Sequence, residues 1–258
     1  MPGSALVLSF EGVSAIGSGL VALKLFLSGL HRRYRILFAY LIVRVPYISC
    51  SLFLAVNSSF YQKFFIVTEM LFWPFYILLV RELYGLVLER HKGVYTLGRW
   101  AMYFATVVSV TISVLSLLPR ITPAMPQRSK IIGYVYAIER GVDFSLAIFI
   151  LLILFLLSRY PVPLSRNVAV HAVVYSIFFL SNTLGLILHS VFGLQLKNEV
   201  NMFLMGTSSA CVVAWLVLLD AKGEKVRVRT LRFGGGDQER ILLQLNALND
   251  TLLKAGRK

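Results

Sequence analysis

The chain has 258 residues, 57% of them hydrophobic and only 15% charged, with a formal net charge of +14. A soluble domain carries about a quarter charged residues, so this deficit, with a mean hydropathy of +0.75, excludes an ordinary soluble globule. Most Lys and Arg lie at the ends of apolar runs, which points to anionic headgroups as their partners and away from nucleic acid.

Seven runs are long enough to cross a hydrocarbon core of about 30 Å. The first covers 5–30; its start, MPGSALVLSFEGVSAIG, lacks the basic region of a cleavable leader and reads as a span. HRRYR follows at 31–35, and the second run covers 35–56 up to NSS at 57–59. The third covers 61–88 and ends in ERHKG at 89–93; the fourth covers 98–118 and ends in PRITPAMPQRSK at 119–130. The fifth covers 131–157 before SRYPVPLSR, the sixth 167–192 before LQLKNE, and the seventh 199–220. The expected fold is all-α, a polytopic seven-transmembrane-helix bundle.

Residues 1–221 would form the transmembrane domain, 222–236 a basic Gly-rich linker, and 237–258 a cytoplasmic amphipathic helix. Gly234, Gly235 and Gly236 break the chain, and Asp237 is placed to cap the last helix. Ile241, Leu245, Leu248 and Leu252 keep a 4-3-4 spacing along it, widened by Leu242 and Leu253. Such a stripe suits the membrane surface, docking to a partner, or pairing as a homo-oligomer.

Loop charges give the orientation. With the N-terminus outside, one face collects Arg32, Arg33, Arg35, Arg81, Arg90, Lys92, Arg99, Arg159, Arg166 and the basic run from Lys222 to Arg232. The other holds Lys63, Arg120, Arg128, Lys130 and Lys197. The bias makes the first face cytoplasmic, with the C-terminus inside. The expected location is a bacterial inner (plasma) membrane.

Ionisable residues inside a span are costly and mark function. Here they are Glu11, Arg44, Glu69, Glu139, Arg140 and Asp143, with the amide Asn182 beside them. At 1.5 Å per residue, Glu11 lies about 9 Å from the outer end, Glu69 and Glu139 about 12 Å, and Arg140 about 13 Å. Arg44, counted from the inner end of its helix, is about 14 Å deep, and Asp143 is close to that level. Four acids thus face two arginines in one outer-half layer. Each arginine is expected to pair with a carboxylate, leaving surplus acids to take a proton or an outside cation. Pro46 and Pro74 follow Arg44 and Glu69 closely and are candidate hinges, because each frees a carbonyl, of Ile42 and Met70 respectively. Trp73, Phe72, Phe75, Tyr76, Tyr134 and Tyr136 would supply aromatic surface around the layer.

Other chemistries find no support. Cys50 and Cys211 make neither a disulfide framework nor a metal cluster. His171 and His189 share a face of the sixth run but stand about 27 Å apart, and the other two histidines, His31 and His91, fall in inner loops, so no haem is expected. The seventh run has no lysine for a retinal Schiff base. GTSSA at 206–210 follows His189, the reverse of the order in intramembrane serine proteases. No catalytic residue, metal or cofactor is expected, and the chain does not read as an enzyme.

The overall plan resembles the seven-helix membrane sensor regions of bacterial signalling proteins, in architecture rather than in any motif. That resemblance implies a small sensor or receptor-like protein with an outward-half polar cavity coupled to a cytoplasmic helix. The rival readings are a non-catalytic accessory subunit of a membrane complex and an ion-coupled transporter.

Overall fold

The computed structural model describes residues 2–53, 59–88, 92–117, 127–159, 164–192, 196–225, 227–228 and 247. Among them are seven α-helices: α1 (Pro2–Leu27), α2 (Arg35–Phe53), α3 (Ser59–Val87), α4 (Lys92–Leu117), α5 (Gln127–Arg159), α6 (Arg166–Phe192) and α7 (Lys197–Leu218). A two-residue antiparallel ladder joins β1 (Leu164–Ser165) to β2 (Arg227–Val228). Ile241, Leu245, Leu248 and Leu252 lie outside the described residues, as does the glycine break before them.

Five helices contain segments long and apolar enough to cross a membrane: Leu6–Leu27, Ile66–Val87, Val94–Ser116, Arg166–Gly185 and Asn198–Leu218. The protein is therefore a multi-pass membrane protein. The other two long helices are the ones that carry most of the internal charge. Arg44 sits within the 19 residues of α2, and Glu139, Arg140 and Asp143 fall within α5.

Most helix ends shift by a few residues from the sequence expectation, α5 for instance beginning at Gln127 instead of 131, and two of the shifts have a visible local cause. α1 stops at Leu27 instead of Leu30, because Gly29 takes a left-handed φ of 70° and leads into a 3-10 turn at Leu30–Arg32. Glycine adopts that conformation without a steric penalty. α4 begins at Lys92, six residues before the expected start, and runs through Gly98. A Cβ at Gly98 would collide with the Tyr84 hydroxyl, which donates to the Val94 carbonyl at 3.0 Å. That glycine serves close packing and does not break the helix.

α1, α2, α3, α5, α6 and α7 pack in that order into a closed ring, with α3 also touching α6. α4 stands outside it, packed mainly on α5. Its other side exposes Leu97, Trp100, Phe104, Val107, Ile112 and Leu115, apolar surface suited to lipid. At Gly141 α5 lies directly against the α4 backbone, where a Cβ would lie 2.6 Å from the Val110 Cα. Small residues permit such backbone contact between membrane helices. Gly141→Ala is expected to cost about 1–3 kcal/mol through overpacking. Gly12→Ala, where a Cβ meets nothing within 4 Å, should be close to neutral. Thermal unfolding of both variants in the same detergent checks the contrast.

Polar contacts reinforce the ring. Ser14 and Ser209 share a hydrogen bond of 3.0 Å between α1 and α7, and Lys24 donates to the Leu216 carbonyl at 2.7 Å near the end of α7. At the start of α2 the Glu82 carboxylate accepts from the backbone N–H groups of Ile36 (2.9 Å) and Leu37 (3.2 Å). A carboxylate there satisfies otherwise unpaired donors and meets the positive end of the helix dipole.

Candidate functional site

Tyr40 and Arg44 are four residues apart on α2 and share the face turned into the ring. Arg44 Nη1 donates to the Tyr40 hydroxyl at 2.7 Å, and Nη2 donates across the bundle to Ser208 Oγ on α7 at 2.5 Å. The guanidinium also lies 5.6 Å from the centroid of the Tyr40 ring. Only 8% of Arg44 is exposed. The expected carboxylate pairing is not made: among the described residues, neither Arg44 nor Arg140 closes an ion pair. Hydroxyls hold the Arg44 fork instead, one from the preceding turn of α2 and one from α7.

Three acids stand within electrostatic reach of one another: Glu69 on α3, and Glu139 and Asp143 on α5. Glu139 and Asp143 are one helical turn apart and so fall on one face of α5. Asp143 is 1% exposed, and neither carboxyl oxygen has a hydrogen-bond partner among the described residues. Asn182 on α6 stands beside it without closing a hydrogen bond of normal geometry. Tyr47 of α2 is beside Glu69. Phe72 lies edge-on to Tyr47 and Tyr40, at 5.0 and 5.8 Å between ring centroids, and stacks on Tyr76. No three His, Cys, Asp or Glu side chains among the described residues come close enough to hold a metal ion.

The layer is thus smaller than the expected four acids and two arginines. Arg140 turns away to α4, donating from Nε to Ser113 Oγ at 2.9 Å and from Nη2 to Ser116 Oγ at 2.6 Å and the Ser113 carbonyl at 3.2 Å. It sits about 100° around the helix from Glu139, and its long side chain reaches the neighbouring helix instead of the interior. Glu11, on α1, is half-buried near Tyr61 and is not among the acids that act on Asp143. Pro46 and Pro74 lie inside α2 and α3 on exposed faces, and the residues whose carbonyls they free, Ile42 and Met70, are exposed as well. The two candidate hinges therefore face outward and do not line the layer.

A file of rings runs from this layer to the other end of the bundle. Centroid separations are 6.0 Å for Tyr40–Tyr76, 5.6 Å for Tyr76–Phe179 and 6.3 Å for Phe179–Tyr175. They continue with 5.6 Å for Tyr175–His171 and 4.5 Å for His171–Tyr34. His171 is 2% exposed, and neither ring nitrogen has a partner among the described residues. The small recess it shares with Tyr34, Glu82 and Tyr175 is too tight for a water molecule. The His189 side chain lies outside the described residues. Cys50 and Cys211 are free thiols, the first exposed and the second buried.

The file ends on a latch that sequence reasoning missed. Tyr34 donates from its hydroxyl to Glu224 Oε2 at 2.7 Å, and Arg33 Nε meets Glu224 Oε1 at 2.7 Å. Asn167 Nδ2, at the start of α6, donates to the Asp220 carbonyl at 2.8 Å and to Glu224 at 3.3 Å. Gly223 lies so close to Asn167 that a Cβ would collide with its side-chain oxygen. The β1–β2 ladder then pairs Leu164 with Val228 and Ser165 with Arg227. Burial, and next the Glu224 carboxylate, hold the Tyr34 hydroxyl well above its ordinary titration range, so it remains a donor. The opening of the expected 222–236 linker is thus docked beneath α2 and α6. Its one sequence signal was Glu224, the sole acid in KGEKVRVR.

The site therefore consists of three acids, one guanidinium held by hydroxyls, and a file of rings that ends on the docked tail. No protein-family model, curated protein or solved structure matches this chain.

Proposed function

We propose that the protein is a small sensor or receptor-like signalling protein in which the Glu69–Glu139–Asp143 layer takes the stimulus and the Glu224 latch is the output. All seven long helices would cross a bacterial-type plasma membrane, with the N-terminus outside, so that α2 and α5 bring the charged layer into the bilayer. Lys222, Lys225 and Arg227 would then meet anionic headgroups on the cytoplasmic side. The tail beyond them would engage a second copy or another membrane protein.

The observation that carries this reading is the continuous file of rings from Tyr40, which accepts from Arg44, to Tyr34, which donates to Glu224. Close-packed rings cannot deform continuously, so a shift at one end is passed on as a discrete rearrangement. Contact alone is not coupling, and the test must measure coupling. Neutralising one member of the layer by Glu69→Gln is expected to change hydrogen exchange at 220–225 by about tenfold, the low end of ordinary coupling energies. Identical exchange in variant and wild type sinks the proposal.

A further inference from the structure

We infer that the ligand of the Asp143 layer is the proton, which names the stimulus within the sensor reading above and rests on that reading for its consequence but not for its chemistry. Full ionisation of Glu69, Glu139 and Asp143 would place three negative charges around one guanidinium in the interior of a membrane protein. Charges there are held only when paired and hydrogen-bonded. Arg44 balances one of them, and its described donations go to Tyr40 and Ser208. Electroneutrality therefore calls for two protons among the three carboxyls.

Asp143 is the member least equipped to bear charge. A carboxylate is an acceptor that draws on neighbouring donors, and among the described residues none donates to it. The groups that face the layer are few. α2 supplies Tyr40, Arg44 and Tyr47; α3 supplies Tyr61, Glu69 and Tyr76; α6 supplies the uncharged Asn182; α7 supplies Ser208. On α5 itself Tyr136 lies near Glu139, while Arg140 is committed to α4. α4 brings the neutral hydroxyls Thr106 and Ser113 to its contact with α5. A metal ion would need a trio of ligating side chains that the described residues do not bring together. A proton needs no cavity.

The layer is neutral when both protons are bound. When the outside turns alkaline it loses a proton, and a carboxylate formed at Asp143 has no donor among the described residues, while the one guanidinium already balances another charge. Repulsion between α3 and α5 then loosens the contacts of Tyr76 and Tyr40, and with them the head of the ring file. Loss of a proton is the signal.

Infrared difference spectroscopy tests this on the whole protein in nanodiscs of neutral lipid, titrated from neutral to alkaline pH. The expected result is a protonated-carboxyl C=O band at neutral pH that disappears on alkalinisation. Asp143→Asn or Glu139→Gln should remove part of it, and Glu11→Gln should leave the pH-dependent part intact. Two variants guard against one that does not fold. A wild-type band absent at neutral pH, or unchanged in both variants, overturns the inference. Loss of the band on adding sodium at constant pH also overturns it, in favour of an alkali cation. Hydrogen exchange at 220–225 in the same samples separates the two proposals. If the band titrates and the latch does not respond, the proton site stands and the sensor reading falls. If Glu69→Gln moves the latch and no carboxyl titrates, the sensor stands with another stimulus.

Discussion

Arg44→Leu is expected to lower stability by about 3–5 kcal/mol, the usual cost of removing one side of a buried charge arrangement. Two charge-assisted hydrogen bonds are lost, each worth about 1.5–3 kcal/mol. The hydroxyls of Tyr40 and Ser208 lose their described donor, and the three acids lose the one guanidinium that faces them among the described residues. The charge component can be separated from the packing component. Arg44→Leu combined with Glu69→Gln should be more stable than the sum of the single losses predicts, by at least about 1 kcal/mol, because coupled neighbours are not additive. Denaturation of the four proteins in one detergent measures this. Strict additivity would mean that Arg44 and Glu69 do not belong to one electrostatic unit.

Glu224→Ala should open the latch and leave the ring of helices standing. One carboxylate accepts from Tyr34 and Asn167 and pairs with Arg33, whose side chain is 37% exposed against 19% for Glu224. Exposure screens the ion pair, so most of the effect comes from the equally short but more buried Tyr34 bond. A loss of about 2 kcal/mol is expected, equivalent to about a 30-fold rise in the open fraction. Trypsin cleavage after Lys222 and Lys225 reads that fraction directly. Glu224→Gln, which keeps an acceptor for Tyr34 and drops the ion pair, should lie between wild type and alanine. Cleavage rates equal in all three proteins would show that the tail is held by the ladder alone.

Much of the architecture was readable in advance because the bilayer imposes it. Apolar runs of about 20 residues announce helices whatever their partners are, and six breaks between them carried turn or charge signals. Arg44, Glu69 and Asp143 were readable for the converse reason, since each interrupts an apolar run at a depth where charge is expensive. Arg140 was misplaced because depth was used without azimuth. Nothing in the run around it announces that Ser113 and Ser116 wait on the neighbouring helix. The placement of α4 outside the ring was equally silent, since its apolar run looks like those of α1, α3, α6 and α7 and only side-by-side packing orders them. The latch depends on Arg33, Tyr34, Asn167 and Glu224, which lie far apart along the chain, and a basic stretch containing one glutamate looks like a solvated linker until its partners are in place.

The contacts that close the ring carry a consequence for how the protein is made. Ser14–Ser209, Lys24–Leu216 and Tyr34–Glu224 span 195, 192 and 190 residues of chain. Synthesis proceeds from the N-terminus at about 5–20 residues per second, so α1 and α2 wait roughly 10–40 s before their last partner emerges. Throughout that interval Ser14 lacks Ser209 and Arg44 lacks Ser208, although both are buried in the finished bundle. A nascent chain stalled before α7 would therefore differ from a finished molecule by a guanidinium without its partner on the last helix.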